Sequence, residues 1–251
     1  MKAKLLAVLG ACLLLLVLII AKLPAQQVVY RINFPNGMGL YEVSGSIWHG
    51  RAASAMVHGQ TLNNVTWDIS VWALLTGSVS AEVHTNKRSS THLNGYVAFD
   101  IFANQLTLQD LTANLPAEVI FAQATLPVPI IGAGQIGINI SDASFDVNQT
   151  MPVCLRLTGI GKWQNAGVLV TTGMVDLGEF TAALSCSDAT YTVAVKEPNK
   201  LGLSFIATGS NPQQLRINGR FKLPPELPED MQRIGEFLGQ PDAQGYTPLK
   251  W

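Results

Sequence analysis

Apolar positions follow two rhythms along this chain. From Leu5 to Ala21 (LLAVLGACLLLLVLIIA) they run without interruption, flanked by Lys2, Lys4 and Lys22. After that the period drops to two: Tyr30, Ile32 and Phe34 alternate before a turn at Pro35-Asn36-Gly37, and Val65, Trp67, Ile69 and Val71 alternate before Thr76-Gly77. The same alternation returns at Leu106/Leu108, Ile136/Ile138/Ile140, Tyr191/Val193/Val195, Leu201/Leu203/Phe205 and Leu215/Ile217/Gly219/Phe221. One apolar and one polar face per segment predict antiparallel strands with one side wetted. The phase flips between Leu108 and Leu111/Ala113/Leu115, near Gln109-Asp110, and between Ile140 and Phe145/Val147, near Asp142. A slip of one residue predicts β-bulges and a curved sheet. Leu126-Pro127-Val128-Pro129 lacks ladder donors and reads as a linker or an edge. Near the end, Met231, Ile234, Phe237 and Leu238 fall at helical spacing with Gly239 as a stop, which predicts a short helix over 229–238.

The first block is about 26 Å long as a helix, at the short end of what crosses a hydrocarbon core of about 30 Å. A cleaved signal peptide fits poorly, because the run is long and Leu23-Pro24-Ala25 is a weak cleavage site. Leu9-Gly10-Ala11-Cys12 imitates a lipobox, yet the apolar stretch continues past Cys12. An uncleaved anchor fits best, and the lysines before it keep the N-terminus cytoplasmic. The expected organisation is a cytoplasmic N-terminus at 1–4, a transmembrane anchor at 5–22 in the inner membrane, and a periplasmic domain at 23–251. That domain is mainly β, a curved antiparallel sheet with a short C-terminal helix.

Hydrophobic residues make up 48% of the chain and charged ones 13%, against roughly 25% charged in an average soluble domain. The net charge of −1 and the absence of a basic patch give no sign of a nucleic-acid partner. Of three cysteines, Cys12 lies in the anchor, which leaves Cys154 and Cys186 outside it. An even pair in an oxidising periplasm predicts one disulfide. The rival, metal binding, would need zinc-site spacing that His49, His58, His84 and His92 do not have relative to either cysteine.

Candidate chemistry is sparse. There is no Gly-x-Ser-x-Gly elbow, Walker loop or His-Glu-x-x-His, and Gly132-Ala133-Gly134-Gln135-Ile136-Gly137 continues into a strand and not into a helix. Glu229-Asp230 reads as a favourable first helical turn, and Asp242 as a turn residue bonding its own backbone. No cofactor is expected. The stretch YEVSGSIWHGRAAS, 41–54, raises the sharpest question, since Trp48-His49-Gly50-Arg51 could be a reactive site or a packing device. No relay partner for His49 is visible, whereas Gly45 and Gly50 suit a sharp bend around a buried Trp48 indole. Trp67, Trp72 and Trp163 lie in or beside predicted strands as core fillers, with Trp163 between the two cysteines and so placed to pack against their disulfide.

The anchor, Leu23-Pro24-Ala25, the block Val43-Ser44-Gly45-Ser46-Ile47-Trp48-His49-Gly50, the Cys154/Cys186 pair enclosing Gly161-Lys162-Trp163, and Gly239-Gln240-Pro241-Asp242 with Gly245-Tyr246 together resemble the type II secretion system protein N family. The likeness spans almost the whole chain, with Arg51 where a small residue is expected. The Ser-Gly-Ser-Ile-Trp-His-Gly block is also similar to AsmA-like envelope proteins. The first resemblance implies a non-enzymatic inner-membrane accessory of the machine that exports folded periplasmic proteins. Its partners would be other inner-membrane and secretin components, met through an exposed strand edge or face. The second implies a groove for lipid as the alternative.

Overall fold

Period-two alternation becomes an antiparallel meander in which every strand pairs with its neighbours in sequence. The computed structural model describes residues 2–34, 37–57, 59–86, 90–123, 131–149, 151–211 and 214–250, with the side chains at 2, 3, 5 to 7, 13, 16, 17, 75 and 123 outside the described set. The turn at Pro35-Asn36, His58, and Leu126-Pro127-Val128-Pro129 lie outside the described residues. Two helices come first, α1 (Lys2–Ala21) and α2 (Ala25–Val29), followed by β1 (Met38–Gly45), β2 (His49–Val57) and β3 (Gln60–Ile69). Next come α3 (Val71–Leu75), β4 (Ser78–His84), β5 (His92–Asp100), β6 (Gln105–Pro116) and α4 (Ala117–Gln123). The long strands β7 (Ile131–Asp146), β8 (Val153–Val170) and β9 (Gly173–Ser187) precede β10 (Thr190–Val195), β11 (Ser204–Gly209), β12 (Arg216–Phe221), α5 (Glu229–Leu238) and β13 (Thr247–Lys250). Among the described residues these form one thirteen-stranded sheet in the order β1 to β13.

Both phase flips are bulges. Asp110 adopts φ 48°, and the β5–β6 register shifts between Asn94 and Tyr96, so Leu106 and Leu108 share a face with Leu111 and Ala113 despite the odd spacing. The β7–β8 register shifts between Ile140 and Asp142, which likewise returns Ala143 and Phe145 to the face of Ile138. A third row runs through Gly134 (φ 99°) and Asn165 (φ 49°). A Cβ on Gly134 would sit 2.3 Å from the Asn165 carbonyl oxygen, so glycine is required there.

Three stretches of predicted strand are not strand. Tyr30, Ile32 and Phe34 follow α2, which starts after Pro24, and the first strand begins only at Met38. Val71 opens α3, because the Ser70 hydroxyl caps it by accepting from the Ala73 amide at 3.4 Å. Leu201 and Leu203 stay in a loop, where Asn199 Oδ1 accepts from both amides at 3.2 and 2.8 Å.

The apolar face of the sheet is only partly covered. One small core joins Ala52, Ala55 and Val65 with Trp67 and Val83, and the other packs Ala166, Val168, Val175, Leu177 and Phe180 beneath Met231 and Ile234 of α5. Accessible area is 16145 Å², against about 10,800 Å² for a compact monomer of this mass. Part of the excess is α1, whose Leu9, Leu14, Leu15 and Leu18 are all exposed, and part is the open sheet. Among the described residues no helix is long and apolar enough to cross a membrane, so the anchor expected over 5–22 rests on the sequence alone.

Candidate functional site

The β1–β2 hairpin answers the question raised by its sequence. Gly45 and Gly50 face each other at its neck, and Ser46 and His49 close the loop: the Ser46 amide donates to the His49 carbonyl, and the Ser46 hydroxyl accepts from the His49 amide, both at 3.0 Å. Gly45 has φ 86°, and a Cβ there would lie 2.6 Å from the His49 oxygen. The indole over Gly50 belongs to Trp67: a Cβ on Gly50 would meet that ring at 2.3 Å. Trp48, buried at 8% exposure, points the other way and donates its N–H to Ile20 O at 2.8 Å. The Ile47 amide donates to Leu23 O at 3.0 Å, Trp67 Nε1 donates to Ile47 O at 3.0 Å, and Pro24 bridges to Ser46. The block therefore clamps the end of α1 to the first three strands.

His49 and Arg51 project on the polar face. Register places Asp68 opposite His49, with Nε2 3.6 Å from Oδ1, a partner that sequence reasoning missed because it depends on β2–β3 alignment. Both side chains are more than half exposed, so the pair is screened and adds little stability. Arg51 lies between Ser44 and Thr66. His84 pairs with Glu82 at 3.0 Å, and among the described residues no three His, Cys, Asp or Glu side chains are grouped to hold a metal.

Cys154 and Cys186 form a disulfide between β8 and β9, with Cys154 fully buried. Trp163 does not pack against it. The tryptophan lies nine positions beyond Cys154 on the same strand, about 30 Å along an extended chain, and pairs with Phe180 across β9. Its ring is 5.6 Å from Phe180 and 4.9 Å from Phe121 of α4, and its N–H donates to Ala133 O at 2.8 Å. Beneath α5 this aromatic group borders a cavity of about 210 Å³, lined also by Leu177, Leu203 and Phe221. The lining is apolar throughout, so the space can exclude water but offers no group for catalysis.

The Gly239-to-Tyr246 segment has its own bolt. Asp242 Oδ1 accepts from the Gln244 and Tyr246 amides at 2.9 and 2.8 Å. The Tyr246 hydroxyl donates to Glu197 at 3.1 Å and its ring lies 4.2 Å under the Arg220 guanidinium. Acceptance of its proton by Glu197 holds the phenol above its ordinary pKa.

Residues 36–250 match the family model described as "Type II secretion system (T2SS), protein N". The chain belongs to the type II secretion system protein N family. Similar proteins carry that name: the Aeromonas hydrophila protein is 30% identical over 93% of this chain and 91% of its own length, and the Vibrio cholerae protein is 26% identical over 92% and 90%. The Klebsiella pneumoniae protein is 24% identical over 84% of this chain and 81% of its own length. No solved structure matches the chain significantly. The matched region takes in the 43–50 block, the disulfide and the C-terminal bolt, three of the segments that carried the resemblance, while the anchor and Leu23-Pro24-Ala25 lie before it.

Proposed function

We propose that this protein is a non-enzymatic accessory of the type II secretion machinery, anchored in the inner membrane by residues 5–22, most of them in α1, with 23–251 in the periplasm. The observation that carries the reading is near-full-length kinship with relatives named for that system. Those names favour it over lipid carriage. Apolar residues exposed on α1 support the anchor, since a helix that is apolar all round needs an apolar medium. The disulfide supports the periplasmic side.

Contact with other inner-membrane or secretin components is assigned to the β1 edge. Among the described residues β1 has β2 as its single strand neighbour. The opposite edge, β13, contains Pro248, which lacks a donor and blunts that side. An extended segment from a partner would add to β1 through backbone hydrogen bonds.

Gene deletion tests the reading. Exoproteins are expected to accumulate in the periplasm and fall in the medium, with recovery from a plasmid copy. Unchanged secretion in the deletion strain under every condition that requires the machine would end the proposal.

A further inference from the structure

Bonds at the clamp end of the strands bring two segments with exposed aromatic side chains together. Trp48 and Ile47 bond the carbonyls of Ile20 and Leu23, so the sheet joins the exit of α1 without a spacer. The Ile69 amide donates to Trp48 O at 2.6 Å, and the chain then enters α3. The Ile101 amide donates to Gly77 O at 3.0 Å, which brings the 101–104 loop beside α3, where the Phe102 ring covers Gly77. Trp72 on α3 is 79% exposed and Phe102 84%; Val71 and Ile101 are about half exposed. At the other end of the strands the β8–β9 turn is Thr171-Thr172.

Such rings suit a bilayer interface, where one side of the side chain is apolar and the other wet. Two separate segments present them at the clamp end of the strands, 71–76 after β3 and 101–104 after β5. The segments 71–76 and 101–104 carry no charged side chain, while Lys22 stands at the helix exit and Asp100, just before the loop, accepts from the Phe102 and Ala103 amides.

We propose that α3 and the 101–104 loop seat Trp72 and Phe102 in the headgroup region of the membrane that α1 enters. The sheet then stands on the bilayer with this end down, held by its clamp to α1 and by the aromatic pair. The proposal rests on α1 being the anchor.

The test uses the full chain in vesicles of phosphatidylethanolamine and phosphatidylglycerol. An environment-sensitive fluorophore is attached to Trp72→Cys, Phe102→Cys or Thr171→Cys in a Cys12→Ala background, where the disulfide leaves no other free thiol among the three cysteines. The labels at 72 and 102 are expected to emit further to the blue than the label at 171, to be quenched severalfold more by spin-labelled lipid, and to be shielded from aqueous iodide. Iodide quenching at 72 and 102 equal to that at 171, without lipid quenching, overturns the proposal. A fourth sample labelled at native Cys12 reads the anchor separately. If Cys12 escapes the lipid quencher, the anchor reading fails, while 72 and 102 still decide whether the pair touches lipid. If Phe102→Cys does not fold because its ring is lost from Gly77, Trp72→Cys alone decides.

Discussion

Trp48 donates its indole N–H to the carbonyl oxygen of Ile20 at 2.8 Å, so a hairpin loop of the sheet adds a second donor to a carbonyl at the end of α1 that also accepts from the Leu23 amide at 3.3 Å. Removing the ring and the bond together, as in Trp48→Ala, is expected to cost about 3 to 5 kcal/mol. Trp48→Phe keeps most of the packing and loses the donor, a cost of about 1 kcal/mol. Chemical denaturation of the full chain in detergent measures both. Loss of secretion should track loss of folded protein, and a Trp48→Ala chain of normal stability that fails in secretion would make this corner a binding site.

Gly50 and Gly161 are both strand glycines, yet their surroundings differ. A methyl group on Gly50 collides with the Trp67 ring and with Ser46 O at 2.7 Å, whereas the nearest atom to one on Gly161 is 3.9 Å away. Gly50→Ala is therefore expected to destabilise by about 1 to 3 kcal/mol, and Gly161→Ala to be neutral or to stabilise by up to about 1 kcal/mol. Denaturation midpoints compare them, and equal shifts would refute the steric account.

The Cys154–Cys186 bond spans 32 positions, which on the loop-entropy model contributes about 3 to 4 kcal/mol. Stability of the wild type should fall by that amount in reductant, while a Cys154→Ser/Cys186→Ser double variant starts low and ignores reductant. A variant as stable as the oxidised wild type would show that the bond is dispensable.

Asp176 accepts from the Lys200 ammonium and from the Gly178 amide, which hold its carboxyl below the usual range. A depressed folded pKa stabilises the fold above the ordinary carboxylate pKa, and that contribution is lost as pH falls through the depressed value. The side chain is exposed, so the effect is small. Melting temperature should decline less steeply below about pH 4 in Asp176→Asn than in the wild type; parallel curves would exclude Asp176 as a contributor.

Much of this architecture could be read directly from residue spacing. Met231, Ile234 and Leu238 marked the helix that became α5, although Phe237, counted on the same face, is exposed while Gly235 is buried. The bulges were visible because a phase change in apolar residues has few other causes. The short helix α3 was hidden, since Val71 continued a strand rhythm that the Ser70 cap ends. Partners set by cross-strand register were out of reach, Asp68 for His49 and Phe180 for Trp163, as was Phe121, which α4 brings to Trp163. A tryptophan announces that something large will pack there, but its neighbours depend on alignments that no local pattern encodes.

The unbroken order from β1 to β13 has a consequence for how the chain is made. Each strand is templated by the one synthesised just before it, and no pairing waits for a distant segment. Closure entropy is then paid in short steps. A polypeptide whose N-terminal strands emerge first can lay down hairpins as they appear, growing from the Trp48 clamp toward α5. Truncation from the C-terminal side should accordingly leave the earlier hairpins paired, as in a structure assembled along a line.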